Sequence, residues 1–171
     1  MRRIVTGFDS EGRPTVLSQE APPVVFRSEL IAGYEIADLC LVDNLPLAAN
    51  GIDISERPWK LEPPVGGLAW RVATRPPESS GPGDLEGVLD EIGATDGRLS
   101  GDSRNTGPGS HATRTVDLMA IISGELWLTV GEEEVHLKPG DFVIQGGVPH
   151  AWHNRGSEPC VFVALMLSVA D

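Results

Sequence analysis

The chain has only four histidines, His111, His136, His150 and His153, and one of them stands where an ordinary surface loop has no use for it. In the stretch GDFVIQGGVPHAWHN, residues 140–154, a turn leads into four strand-like residues, a glycine corner, and then Pro149 directly before His150. Proline fixes its own φ and restricts the residue before it. His150 therefore leaves the corner at a set angle, as a ligand aimed into a cavity must. Upstream, HATRTVDLMAI, residues 111–121, alternates so that His111, Thr113, Thr115, Asp117 and Met119 share one face of an extended chain. A straight strand would hold His111 and Asp117 about 20 Å apart, at roughly 3.3 Å per residue. The two can serve one site only if the chain bends through Thr113–Thr115.

The same alternation nominates the wall of such a site. Trp152 shares the face of His150, and Met119 that of Asp117. In AWRVAT, residues 69–74, either Trp70 or Arg71 looks inward, and an inward Arg71 is a natural anchor for a substrate carboxylate or phenolate. His136 lies between Val135 and Leu137, and His153 is opposite in parity to His150. Both are assigned to the exterior, with His153 in reserve as a ligand should His111 fail. Trp127, between Leu126 and Leu128, is accounted for by core packing.

The elements that must hold these residues are mostly strands. Runs such as PVVFRSEL, DLCLVD, GLAWRVAT, LMAIIS, ELWLTV, EVHLK, DFVIQ, HAWHN and CVFVALMLSV alternate with turn chemistry at GEEE, KPGD, GGVP and NRGSEP. From Asp117 onward they arrive every eight to twelve residues, the spacing of a sandwich or barrel. The reading is all-β. One helix is expected at Asp84–Ala94, with Asp84 as N-cap and Leu85, Val88, Leu89 and Ile92 at helical spacing. The polar, Gly/Ser-rich segments beside it, RPPESSGPG and DGRLSGDSRNTGPGS, are connectors or a lid. The N-terminal third, with proline-rich ERPWKLEPPVGG, is expected to cover an open edge of the same subunit or of a partner, and a homodimer is expected.

At 171 residues the chain fits one domain with a sizeable core. Its 13 basic against 25 acidic residues, a net charge of -12, disfavour nucleic-acid and anionic-membrane partners. No apolar run approaches the ~20 residues of a membrane span, and the N-terminus has no apolar signal region. With Cys40 and Cys160 read as reduced, buried thiols, a cytoplasmic location is expected.

From Ser110 to Leu167 the chain resembles the cupin family of double-stranded β-helix, or jelly-roll, barrels. The second cupin motif fits at Gly140, His150 and Asn154. The first fits in spacing, with Gly124 at its end, but places Asp117 where the family has Glu and Thr113 at its second His. The resemblance covers about the last third of the chain and, more weakly, AWRVAT; residues 67–171 are read as the barrel, including a 77–110 helix and loop insertion, and residues 1–66, which the motifs do not cover, as N-terminal strands and a proline-rich arm packed on it. It implies a divalent first-row metal held by His111, Asp117 and His150. Fe(II) is slightly favoured over Zn, Mn and Ni, because two imidazoles and one carboxylate leave positions open for substrate or dioxygen. His150, Asp117 and Thr113 would then be catalytic, with Arg71, Trp152, Met119 and Thr115 binding a small oxygenated substrate: a carboxylate, enol or phenol. Three functions stay open. They are a metal-dependent dioxygenase or a lyase of dehydratase type; a metal-free isomerase or epimerase with His150 as acid or base, oriented by Asp117; and a non-enzymatic small-ligand-binding barrel.

Overall fold

The computed structural model describes residues 1–47, 59–80, 83–94 and 109–169. Eleven strands are present among them: β1 Val5–Phe8, β2 Pro14–Ser18, β3 Val24–Arg27, β4 Glu35–Val42, β5 Leu68–Arg75, β6 Thr115–Ser123, β7 Leu126–Val130, β8 Glu133–Leu137, β9 Phe142–Gln145, β10 Ala151–His153 and β11 Cys160–Ser168. A six-stranded sheet runs β3-β4-β5-β11-β6-β9, and a three-stranded sheet runs β10-β7-β8. All named pairs are antiparallel. The two sheets enclose the core, so the fold is all-β, as the alternation implies, and a double-stranded β-helix, as the resemblance implies. Gly124, at φ +71, turns β6 into β7, where a Cβ would lie 2.5 Å from the Pro159 carbonyl oxygen.

Strict alternation decides what each strand buries. On β6, Thr115, Asp117, Met119 and Ile121 are buried while Leu118 and Ile122 are exposed. On β5, Ala69, Arg71, Ala73 and Arg75 are buried while Trp70 is 46% exposed. Leu126, Leu128 and Leu137 of the smaller sheet close the core from the other side and share it with Met166 of β11 in the large sheet. Trp127 corrects the core assignment made from sequence. It points outward and stacks on His136 at 4.1 Å between ring centroids, with interplanar angle 7°, because Leu126 and Leu128 already take the inward positions.

The helix α1 spans Leu85–Glu91, and the side chain of Asp84 accepts a hydrogen bond from the Gly87 amide as its cap. Val88 and Ile92 pack it onto the core. Residues 81–82 and 95–108 of the segments read as connectors or a lid lie outside the described residues. The N-terminal third divides in two. β3 and β4 continue the barrel sheet through β5, whereas β1 and β2 pair only with each other. The outer face of the large sheet is apolar across four strands. Trp70, Leu165, Leu118 and Ile144 fall in one cross-strand row, and Phe142 beside them is 82% exposed.

Candidate functional site

His111 and His150 meet through their backbones before their side chains do. They form an isolated antiparallel bridge, with His111 N donating to His150 O at 3.0 Å and His150 N donating to His111 O at 2.9 Å. The chain then bends at Arg114 and enters β6 at Thr115, which is the break needed to bring the His111 end toward the barrel axis. Gly147 permits the close approach of the opposite corner, where a Cβ would lie 2.8 Å from the Thr113 carbonyl oxygen.

The bridge sets the two imidazoles 4.5 Å apart between ring centroids. Each is held by a hydrogen bond at Nδ1: His111 to the Gly109 carbonyl at 3.1 Å, and His150 to the Val148 carbonyl at 2.8 Å. A carbonyl only accepts, so each Nδ1 carries the proton and each Nε2 keeps its lone pair. Burial drives both rings toward the neutral form. It pushes His111 down to about 3, with the His150 ring and the Arg75 charge adding to the effect, and it lowers His150.

His111, Thr113, Asp117, Met119, His150 and Trp152 all line one internal cavity of about 80 Å³. Asp117 is 8% exposed, and its Oδ1 is buried with no hydrogen-bond partner among the described residues. Burial pushes its carboxyl up to about 6, against the lowering effect of the Thr115 hydroxyl and the Arg71 charge. Thr113 and Thr115 share a 2.7 Å hydroxyl–hydroxyl hydrogen bond. Thr113 faces the cavity, while Thr115, 1% exposed, stands behind it. Trp152 meets His150 edge-on at 5.6 Å and stacks on Phe162 at 6.2 Å.

Three expectations change here. His111, Asp117 and His150 line one cavity, but no group of three His, Cys, Asp or Glu side chains among the described residues is placed to hold an ion. The histidines are joined at the bridge, whereas Asp117 lies inside β6, opposite Gln145 and Met166, and its side chain is one methylene shorter than glutamate. The residues present do not fit a resident ion of the two-His-one-carboxylate type. Nor does Asp117 orient His150, whose Nδ1 is bound to Val148. Arg71 does turn inward, but its Nε donates to Asp38 Oδ1 at 2.6 Å, and its other nitrogens donate to the carbonyls of Leu61 and Lys60. Its charge is matched inside the protein, and Trp59 covers it at 5.0 Å.

Alternation also places inward a residue that the sequence reading passed over. Arg75 is two inward positions beyond Arg71, 8% exposed, and lines the same cavity together with Tyr34. Its backbone is fixed by Asn154, the motif asparagine. Asn154 is wholly buried, donates from Nδ2 to the Arg75 carbonyl at 2.8 Å and to the Glu158 carbonyl at 2.9 Å, and accepts from the Gly156 amide at 3.0 Å. A second, wider chamber of about 420 Å³ adjoins, and Tyr34 and Arg75 belong to the walls of both.

Comparison with known proteins matches residues 103–167 to the family model described as the cupin domain. Among solved structures, the cupin domain of Schizosaccharomyces pombe Cnp3 is 11% identical, covering 98% of this chain and 88% of its own, with TM-score 0.48. A double-stranded β-helix protein from Klebsiella pneumoniae is 17% identical over 84% of this chain and 82% of its own, with TM-score 0.45. The cupin domain of an XRE family transcriptional regulator from Enterobacter cloacae is 21% identical over 60% of this chain and 83% of its own, with TM-score 0.38. No curated protein matches the chain.

Proposed function

Residues 103–167 make up a cupin domain, and from that premise we propose that its cavity catalyses proton transfer on a small oxygenated organic substrate without a resident metal ion. The reaction class is that of an isomerase, epimerase or lyase. The observation that carries the reading is Asp117 Oδ1, a buried carboxylate oxygen with no partner among the described residues, on a carboxyl held at about 6. A base is most effective when its pKa lies near the working pH, and a desolvated oxygen is free to take a substrate proton. Asp117 thus replaces His150 as the acid–base group. His111 and His150 accept hydrogen bonds at Nε2 from substrate hydroxyl or enol groups and hold them still. Trp152, Met119 and Phe162 keep water out.

The test is hydrogen exchange in deuterium oxide, followed by NMR over a panel of small hydroxy and oxo acids. Wild type should exchange a C–H next to the oxygenated carbon of at least one of them. The rate should rise with pH around 6, Asp117→Asn should lose it by two or more orders of magnitude, and a chelator should leave it unchanged. Activity that vanishes with chelator and returns with iron or zinc would overturn the reading, as would exchange that survives Asp117→Asn.

A further inference from the structure

Arg71 and Arg75 are both buried cations on the inner face of β5, yet only Arg71 is bonded to an acid, Asp38, while the Glu78 charge acts on Arg75 from nearby without a bond to it. The guanidinium of Arg75 lies over the Tyr34 ring at 5.7 Å, and among the described residues no hydrogen bond or ion pair reaches it. The nearby acid, Glu78, accepts from His153 Nδ1 at 2.8 Å. A buried cation without a bonded counter-charge is unfavourable, and the backbone that carries this one is fixed. Its carbonyl is tied to Asn154, Pro76 and Pro77 follow it directly, and Glu78 N donates to Asn154 O at 2.9 Å. Arg75 belongs to the walls of both the 80 Å³ and the 420 Å³ chambers, within reach of a ligand in either.

The two chambers differ in chemistry. The inner one offers three hydrogen-bond acceptors, Nε2 of His111, Nε2 of His150 and Oδ1 of Asp117, and has room for only about two or three waters' worth of ligand. The outer one is walled mainly by apolar residues, among them Leu30, Ile31, Leu85, Pro76 and Pro77, with Glu78 also in its wall, and its volume is that of a site for a whole small molecule.

We propose that Arg75 binds the carboxylate of a two-part ligand, a hydroxy acid whose hydroxyl enters the inner chamber and whose apolar body fills the outer one. Arg75 presents paired donors to the carboxylate, the hydroxyl donates to the imidazoles, and the body displaces water from the outer wall. The hydroxyl end rests on the proton-transfer reading of the inner chamber; the anion site at Arg75 stands without it.

Calorimetric titration with 2-hydroxy-4-phenylbutanoate, its primary amide, and lactate tests this. The aryl hydroxy acid should bind, with the amide and lactate each at least tenfold weaker. Arg75→Gln should erase the preference for acid over amide, Arg75→Lys should keep part of it, and thermal melts should report whether each variant is folded. Ile31→Trp, which fills the outer chamber, should remove the advantage over lactate. An amide that binds as tightly as the acid to wild type, an acid preference that survives Arg75→Gln, or no binding of any of the three would overturn the proposal. Acid-selective binding to a wild type that exchanges no substrate proton would support the anchor and overturn the proton-transfer reading alone.

Discussion

Arg71 crosses from β5 to β4 to meet Asp38, its Nε 2.6 Å from Asp38 Oδ1, with both side chains under 5% exposed. This ion pair lies directly beneath the candidate site and joins it to the N-terminal third, because the same guanidinium also bonds the carbonyls of Leu61 and Lys60. The charge that lines the barrel thus takes its counter-charge from β4.

Removing one member leaves the other buried and uncompensated. Asp38→Ala should lower the unfolding free energy in urea by about 3 to 5 kcal/mol, whereas the double replacement Asp38→Leu with Arg71→Met should recover most of that loss. A single variant as stable as wild type would show that the pair is not desolvated in solution.

Asp117 and His111 act on acid stability with opposite signs. Folding raises Asp117 from 3.8 to about 6, so the native state holds the extra proton between those values, and this group's contribution falls as pH rises from about 4 to 6. Folding lowers His111 from 6.5 to about 3, so its contribution is complete above 6.5 and is lost as pH falls toward 3. His150 is lowered by burial and acts in the same direction as His111. In wild type the opposing slopes offset each other between pH 4 and 6. Asp117→Asn removes the offset, and its stability should fall with acidification over that window more steeply than wild type, by an extra ~1 kcal/mol per pH unit. At pH 7 the variant should be the more stable of the two. Parallel curves for the two proteins would contradict the assignment.

Long-range ¹⁵N–¹H correlation spectra of the imidazoles report the tautomers directly. Resonances of His111 and His150 should show a protonated Nδ1 and a bare Nε2, and His111 should stay neutral down to pH 4. An Nε2–H tautomer at either ring would remove the acceptor pair on which ligand positioning depends.

Much of this was legible in the residue order, and the gaps have physical causes. Alternation is a local property, so it placed Thr113, Asp117, Met119 and Trp152 correctly toward the interior, and the side-chain chemistry of Asp84 marked its helix cap. Alternation says which way a side chain points, however, and not what it meets. Arg71 was expected to greet a substrate, but Asp38, 33 residues earlier, takes its charge. The same rule applied four residues further along β5 would have found Arg75, whose lack of a bonded acid among the described residues only the folded chain reveals. Trp127 was mistaken for core because an aromatic in an apolar run looks buried until its outward stack on His136 is seen. The three residues named as ligands share a cavity without forming an ion-holding group among the described residues. Motif spacing fixes positions along the chain, while the reach of a side chain across the barrel depends on one methylene and on where β6 begins.

The backbone bonds at Nδ1 of His111 and His150 also bear on how a ligand would leave. Two rings committed to accepting will welcome a hydroxyl and oppose a keto oxygen, lone pair against lone pair. A reaction that turned the one into the other would loosen its own grip on what it had made, and the cavity would empty without any part of the barrel having to open.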